Sequence, residues 1–398
     1  MFAIKRFFCR TVQFGFRVAL PLLPYREPKL FPSMDGISEI LSKHRPAAAL
    51  IVTTAGSVRR GLIAPITDAL DARGIPYAVY DKTQPDPTEG DVEEALALYR
   101  TVGAQILFAL GGGSAIDCAK GVAARVAYPK KSLNRLAGVM RVIRKTPTLV
   151  AIPTTAGTGS ETTPAAVITD DVTHRKYAII SFPLIPHYAV LDPTLTYTLP
   201  PHLTATTGMD ALTHAVEAYI GRSTTKRTRR LAEEATALIF QNIGRAYENG
   251  QDGKAREAML IASYRAGYAF SVSYVGYIHA LAHALGGRYG IPHGLANAIL
   301  MPAVLEAYGK SAHKKLHRLA VAAGVATKEE RHEAGAQKFI ESVRRLNAAM
   351  GIPATLTELK AEDIPTLSAT AAREANPLYP VPRLMNAREL ATVYEGLL

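Results

Sequence analysis

With 398 residues, 48% hydrophobic and 20% charged, the chain has ordinary globular composition and length for two or three domains, which excludes disorder or low complexity as its main theme. Its 46 Lys and Arg against 34 Asp and Glu give a formal +12, gathered in acid-free stretches at residues 1–26 and 125–145 and in Arg222, Lys226, Arg227, Arg229 and Arg230. No nucleic-acid motif or stacking-aromatic pattern accompanies these clusters, so they read as solvated basic faces and a nucleic-acid partner is not expected.

In chain order, residues 1–30 come first as an extension, mixing Phe, Val and Leu with spaced arginines up to Pro21 and Pro24. Gln13, Gly15 and Arg17 interrupt a secretory core, so the pattern predicts a short amphipathic helix. Docking on the body is favoured over contact with a membrane surface. From Ala48 the texture alternates: strands over Ala48–Val52, Tyr77–Tyr80, Gln105–Leu110 and Leu149–Ile152, with helices over Ile63–Leu70 and Asp91–Tyr99. Continuous apolar runs with branched residues, separated by helices, predict a Rossmann-like parallel sheet in an α/β domain spanning 31–200. After Pro200 and Pro201 long helical stretches follow at Ala205–Ile220, Arg229–Tyr247 and Ala255–Phe270. A helix from Tyr277 to Leu285 should end at Gly286-Gly287, and 201–398 is expected to be all-α. No apolar run approaches the roughly 18 to 20 residues that a membrane-spanning helix needs. Cys9 and Cys118 cannot form a disulfide framework or a cysteine-rich zinc module, and a reducing, cytoplasmic setting is expected.

Two glycine-rich turns each follow a predicted strand. Gly111-Gly112-Gly113-Ser114-Ala115-Ile116-Asp117 opens a helix, where backbone amides make an anion site, although Ile116 stands where a GxGxxG motif has its last glycine. Pro153 to Glu161 (PTTAGTGSE) offers hydroxyls and glycines suited to a sugar or a pyrophosphate. Farther on, Asp210 and His214 are four apart on one helix face, and His279, His283 and His293 cluster later, so four of the eleven histidines fall in two short segments. Three imidazoles and a carboxylate would make a mixed N/O site for iron or zinc. The HALAH string lacks the glutamate of a zinc protease.

From Phe31 to the C-terminus the chain resembles the iron-containing (group III) alcohol dehydrogenases. The strings that carry the likeness are GGGSAID, PTTAGTGSE, AVLDPTLTYTLPP, GMDALTHAVEAY and HALAHALGGRYGIPHGLANAILMP. The resemblance implies a nucleotide-binding domain followed by a helical domain, with a metal in the cleft. It implies that Asp210, His214, His279 and His293 bind a divalent ion, Fe2+ ahead of Zn2+, and that His283 is a non-ligand proton relay. Gly112, Gly113, Ser114, Asp117, Thr154, Thr155, Lys176 and Leu191 would line the cofactor site. Many members carry an aspartate for the ribose hydroxyls of NAD where this chain has Thr54, and AGSVRR (55–60) looks like the GGSVKK-type loop of NADPH users. Losing a carboxylate and gaining guanidinium groups favours a 2′-phosphate, with Thr54, Gly56 and Ser57 as contacts, so NADP is favoured over NAD. The bland alternative is that Arg59 and Arg60 are solvent-facing residues starting a helix. The expected activity is hydride transfer between a primary alcohol or aldehyde and nicotinamide by a homo-oligomer, a dimer. Two rivals are a metal- and NAD-using lyase like dehydroquinate synthase, whose phosphate-bearing substrate would need more basic residues in the cleft, and a basic protein of nucleic-acid or membrane surfaces. The GMDALTHAVEA and PHGLANAI strings disfavour the first, and the intact ligand positions disfavour the second.

Overall fold

The computed structural model describes residues 2–398, which form two compact units: Pro24–Thr198, and a helical unit joining the residues up to Leu23 to Leu199–Leu398. The N-terminal segment is therefore not a body of its own. Its helix α1 (Phe2–Ala19) belongs to the helical unit, while residues 24–30 belong to the α/β unit.

The α/β unit is built on a six-stranded parallel sheet in the order β1-β9-β6-β4-β2-β3. Its strands are β1 (Lys29–Phe31), β2 (Ala49–Val52), β3 (Tyr77–Tyr80), β4 (Ile106–Gly111), β6 (Thr148–Pro153) and β9 (Tyr188–Val190). Both faces are covered, so alternate side chains of one strand enter opposite cores. Ile106, Phe108 and Leu110 of β4 pack with Ile37, Ile40, Ile66 and Leu70 of α2 (Gly36–His44) and α4 (Ala64–Asp71). Leu107 and Ala109 pack with Val92, Leu96, Ile116 and Val122 of α5 (Glu89–Val102) and α6 (Gly113–Ala127). A one-turn helix α3 (Ala55–Arg59) follows β2. Not expected from sequence is a second sheet in the order β5-β8-β7, from β5 (Gly138–Val139), β7 (Ala165–Thr169) and β8 (Lys176–Ile180). Its β7 and β8 pair antiparallel.

In the helical unit, α7 (Pro201–Ile220) is buried on every side from Gly208 to Ile220. The helices α8 (Lys226–Glu248), α9 (Gly253–Ser273) and α11 (His293–Tyr308) pack around it. α10 (Tyr277–Tyr289), α12 (Lys310–Ala322), α13 (His332–Ala349), α14 (Ile364–Ala375) and α15 (Ala387–Glu395) complete the unit. The expected stop at Gly286-Gly287 is corrected: α10 runs through both glycines and ends at Gly290, whose φ of 68° is the left-handed cap. An interior helical glycine costs only about 1 kcal/mol, so two of them do not end a packed helix.

Candidate metal centre and dinucleotide loops

A helix buried all round must find partners for its polar side chains. α7 buries Asp210, Thr213, His214 and Glu217. Thr213 is satisfied within the helix by the Met209 carbonyl. The other three project toward α10 and α11. Gly294 makes this approach possible, because a Cβ there would stand 2.5 Å from the Thr206 carbonyl oxygen. His293, the residue before it, thereby brings Nε2 to 3.5 Å from Asp210 Oδ1, and His279 Nε2 lies 4.0 Å from the same oxygen.

One donor atom from each of Asp210, His214, His279 and His293 lies within 4.8 Å of the others. The rings of His214 and His279 stack with centroids 4.6 Å apart. Burial first, and then the neighbouring His214, His293 and His283, push the His279 pKa well below its ordinary value. A neutral imidazole keeps a lone pair for a cation. His279 Nε2 is buried and has no hydrogen-bond partner in the protein. A buried, unsatisfied acceptor facing a carboxylate and two further imidazoles is what a divalent ion would satisfy, so the donor set fits a metal.

Around these four stand residues that sequence reasoning missed. Glu217 accepts from His279 Nδ1 at 2.6 Å and from the Gly276 and Ile278 amides at 2.7 and 2.8 Å. Burial pushes its pKa up to about 8, against the lowering effect of the Gly276, Ile278 and His279 backbone amides. Its signal was available, since residue 217 is seven on from Asp210 and three on from His214, on the same helix face. Asn297, four on from His293, donates to Asp210 Oδ1 at 2.7 Å. His283, the expected proton relay one turn after His279, is half-exposed and pairs through Nδ1 with Glu374 Oε1 at 2.7 Å, and Glu374 is a further partner that sequence reasoning missed. Tyr379 donates to the same oxygen at 2.8 Å.

In the α/β unit the two glycine-rich turns lie side by side, because β4 and β6 are neighbours and Gly111 stands in register with Pro153. The Thr154 amide donates to the Gly111 carbonyl at 2.9 Å. A Cβ at Gly113 would meet Thr158 Cγ2 at 2.9 Å and one at Gly112 would meet Thr155 Oγ1 at 3.4 Å. Gly112 is the N-cap of α6, so free amides at the helix start adjoin the Thr154 and Thr155 turn. Ser114 Oγ accepts from the Asp86 amide at 3.3 Å, and Asp86 pairs with Lys176 Nζ at 2.7 Å, which ties Lys176 to the first turn. Leu191 is buried just past the end of β9, its amide bonded to the Phe31 carbonyl of the neighbouring β1 at 2.8 Å.

Asp117 requires a correction. Its carboxylate is turned inward, accepting from Ser160 Oγ at 2.6 Å and the Val167 amide at 3.0 Å, and burial pushes its pKa up. It braces the turns and does not present itself to a pyrophosphate. Beneath them lies Lys120, fully buried, whose Nζ reaches Ser160 O, Thr163 Oγ1 and Ala165 O at 2.7 Å and Ser160 Oγ at 3.0 Å. Burial pushes Lys120 down to about 8 and Glu161 up to about 7.

At the end of β2, Thr54 caps α3, accepting from the Ser57 amide at 3.2 Å and lying 3.0 Å from Ser57 Oγ. Ser57 is buried, so its hydroxyl is engaged by Thr54. The Arg60 guanidinium folds back toward Gly56, with Nη1 3.5 Å from where a Cβ would stand.

The family model described as iron-containing alcohol dehydrogenase matches residues 32–193, and that of the C-terminal part of the Fe-containing alcohol dehydrogenase family matches 204–398. Alcohol dehydrogenase 4 of Saccharomyces cerevisiae is 40% identical over 331 residues, 82% of this chain and 85% of the yeast protein. The 1,3-propanediol dehydrogenase of Klebsiella pneumoniae is 37% identical over 350 residues, 87% of this chain and 90% of that protein. A crystal structure of 1,3-propanediol oxidoreductase superposes with a TM-score of 0.90 at 35% identity, covering 94% of this chain and 99% of that one. The chain belongs to the iron-containing alcohol dehydrogenase family and is an alcohol or aldehyde oxidoreductase that uses a divalent metal and a nicotinamide cofactor.

Proposed function

We propose that the protein interconverts small primary alcohols and aldehydes with NADP in preference to NAD, and that Asp210, His214, His279 and His293 hold Fe2+, with Zn2+ suited to the same donors. The observation that carries this reading is the unsatisfied His279 Nε2 among three other convergent donors. When bound, the ion supplies a Lewis acid for the substrate oxygen and the nicotinamide supplies or takes the hydride. Relatives named for 1,3-propanediol and lactaldehyde support a short, oxygenated substrate.

The chain's own groups have distinct tasks. Glu217 accepts the Nδ1 proton of His279 and so fixes the tautomer that leaves Nε2 free. Glu374 does the same for His283, whose Nε2 then accepts and passes the proton of the reacting hydroxyl. Gly112, Gly113, Ser114, Thr154 and Thr155 present amides and hydroxyls to the cofactor's pyrophosphate, with Lys176 and Leu191 beside them. No acid stands between Thr53 and Arg60, and Arg60 beside Gly56 supports a 2′-phosphate partner. A reducing, cytoplasmic setting is supported by the two free, buried cysteines, and the assembly proposed is a homodimer.

The test is a steady-state assay of metal-stripped protein reconstituted with Fe2+ or Zn2+, using an aldehyde panel with NADPH and NADH. Reduction that needs the metal and runs faster with NADPH is expected. Full activity after chelation overturns the metal assignment, and an NADH preference overturns the cofactor assignment alone.

A further inference from the structure

Helix α1 is held to its unit by its polar side. Arg10 Nη1 and Nη2 donate to the Val381 and Pro382 carbonyls at 2.8 and 3.0 Å. Gln13 Nε2 donates to the Tyr379 carbonyl at 2.7 Å, and the Gln13 carbonyl accepts from Ser223 Oγ at 3.4 Å. The Phe16 ring meets Tyr274 edge-on at 5.4 Å. These bonds fix the rotation of the helix, and they turn its apolar side outward. Phe7, Phe14 and Val18 recur at intervals of seven and four, which places them in one stripe. They are 75%, 65% and 59% exposed, and Phe8 beside them is 59% exposed. A helix docked on a globular body ordinarily shows water its polar face, so a stripe of this kind marks a surface that something covers.

Charge identifies the occupant. Residues 1–26 contain no acid, and Arg6 and Arg17 flank the stripe in the open. Next to them lies a basic patch: Lys315, bonded to the Ile220 carbonyl at 3.0 Å, feels the positive charges of Arg229, Arg222, Arg17 and Arg318. A two-fold contact between copies of this chain through α1 would lay that basic rim against itself, which like charges oppose. Nucleic acid would meet the charge but leave the aliphatic Val18 of the stripe in water. A surface of anionic lipid satisfies both, with phosphates at the rim and an acyl boundary for the rings. Residues 1–31 also lie outside both family models, so this face stands apart from the oxidoreductase's own residues.

We propose that α1 is a membrane-surface anchor whose Phe7, Phe14 and Val18 enter the interfacial layer of an anionic bilayer while Arg6, Arg17 and Arg222 engage lipid phosphates. The test is sedimentation of the full-length, metal-loaded protein with phosphatidylcholine vesicles, with and without phosphatidylglycerol. Co-sedimentation with the anionic vesicles alone is expected, weakening as salt rises. Replacing two exposed rings in the double variant Phe7→Ser/Phe14→Ser should lower the partition about tenfold or more, with alcohol oxidation in solution unchanged. Arg17→Glu should lower it as well. No binding to anionic vesicles, or binding that survives loss of both rings, overturns the proposal. So does a wild-type dimer that the ring variant dissociates, because a second copy would then be the occupant.

Discussion

The Glu217 carboxylate and the His279 imidazole meet at 2.6 Å through Oε2 and Nδ1, inside a helix pair that excludes water from both. The contact lets a buried histidine offer Nε2 to a metal without competing tautomers. Glu217→Gln keeps the shape but replaces the ionisable acceptor of the Nδ1 proton with a weaker amide, so affinity for the divalent ion should fall about 10–100-fold. Titration of metal-stripped protein with Fe2+ or Zn2+ measures it. An unchanged affinity would show that Glu217 serves packing alone.

His279→Ala removes one of four donors. Bound metal, counted by elemental analysis, and turnover should then decline together. A variant that is fully active without metal sinks the ligand assignment.

His283 behaves differently if it handles the proton and not the ion. His283→Ala should retain its full complement of metal yet lose about 10²–10⁴-fold in kcat. Glu374→Gln should lose less, because it disturbs only the orientation and tautomer of His283. Loss of stoichiometric metal from either protein means that the relay and ligand roles have been exchanged.

Cofactor choice rests on the loop after β2. Thr54→Asp places a carboxylate where a 2′-phosphate is proposed to sit, and Arg60→Ala removes the nearest cation. A charge-assisted bond contributes roughly 1.5–3 kcal/mol, one to two decades of affinity. The ratio of kcat/KM for NADPH over NADH should therefore fall by that factor in each variant. Two unchanged ratios would leave the loop without a part in discrimination.

Acid stability should depend on His187. Burial first, and then the positive charge of Arg26, push its pKa down to about 4, and its Nδ1 accepts from the Leu149 amide at 3.2 Å. The unfolded chain takes up this proton below about 6.5, while the folded one resists until about 4. The stabilisation is therefore complete above pH 6.5 and is lost as the pH falls through about 4, an effect on the order of 1–2 kcal/mol after allowing for partial exposure. Urea midpoints between pH 7 and 4 check it: His187→Gln should flatten the fall, and an equally steep fall in that variant would exonerate this histidine.

Much of the scaffold could be read from local pattern. β2, β3, β4 and β6 are short apolar runs ended by turn residues, and α7, α8 and α9 carry long helical periods between clear breakers. The second sheet was hidden because β5 is two residues long, in a basic stretch without periodicity, and pairs with β8 across some forty positions. The convergence of Asp210, His214, His279 and His293 could be anticipated because four of the histidines and an aspartate fall in two short segments, and because the chain resembles a family with a metal there. Glu217 carries the same spacing, but a glutamate in an alanine-rich helix looks like a surface residue until the helix proves to be buried. The inward turn of Asp117 depends on Ser160, forty-three residues away, which no local pattern reveals.

The bonding of Lys120 has a practical consequence for anyone exchanging parts between relatives. Its ammonium spans acceptors on Ser160, Thr163 and Ala165 while its backbone belongs to α6, so the two turns are fastened by a single buried rivet. A graft of 111–127 from a protein lacking a lysine at the matching place would strand the four acceptors on Ser160, Thr163 and Ala165, and a graft of 153–165 alone from such a protein would strand the Lys120 charge. Transplants in this region should therefore succeed only when both segments travel together.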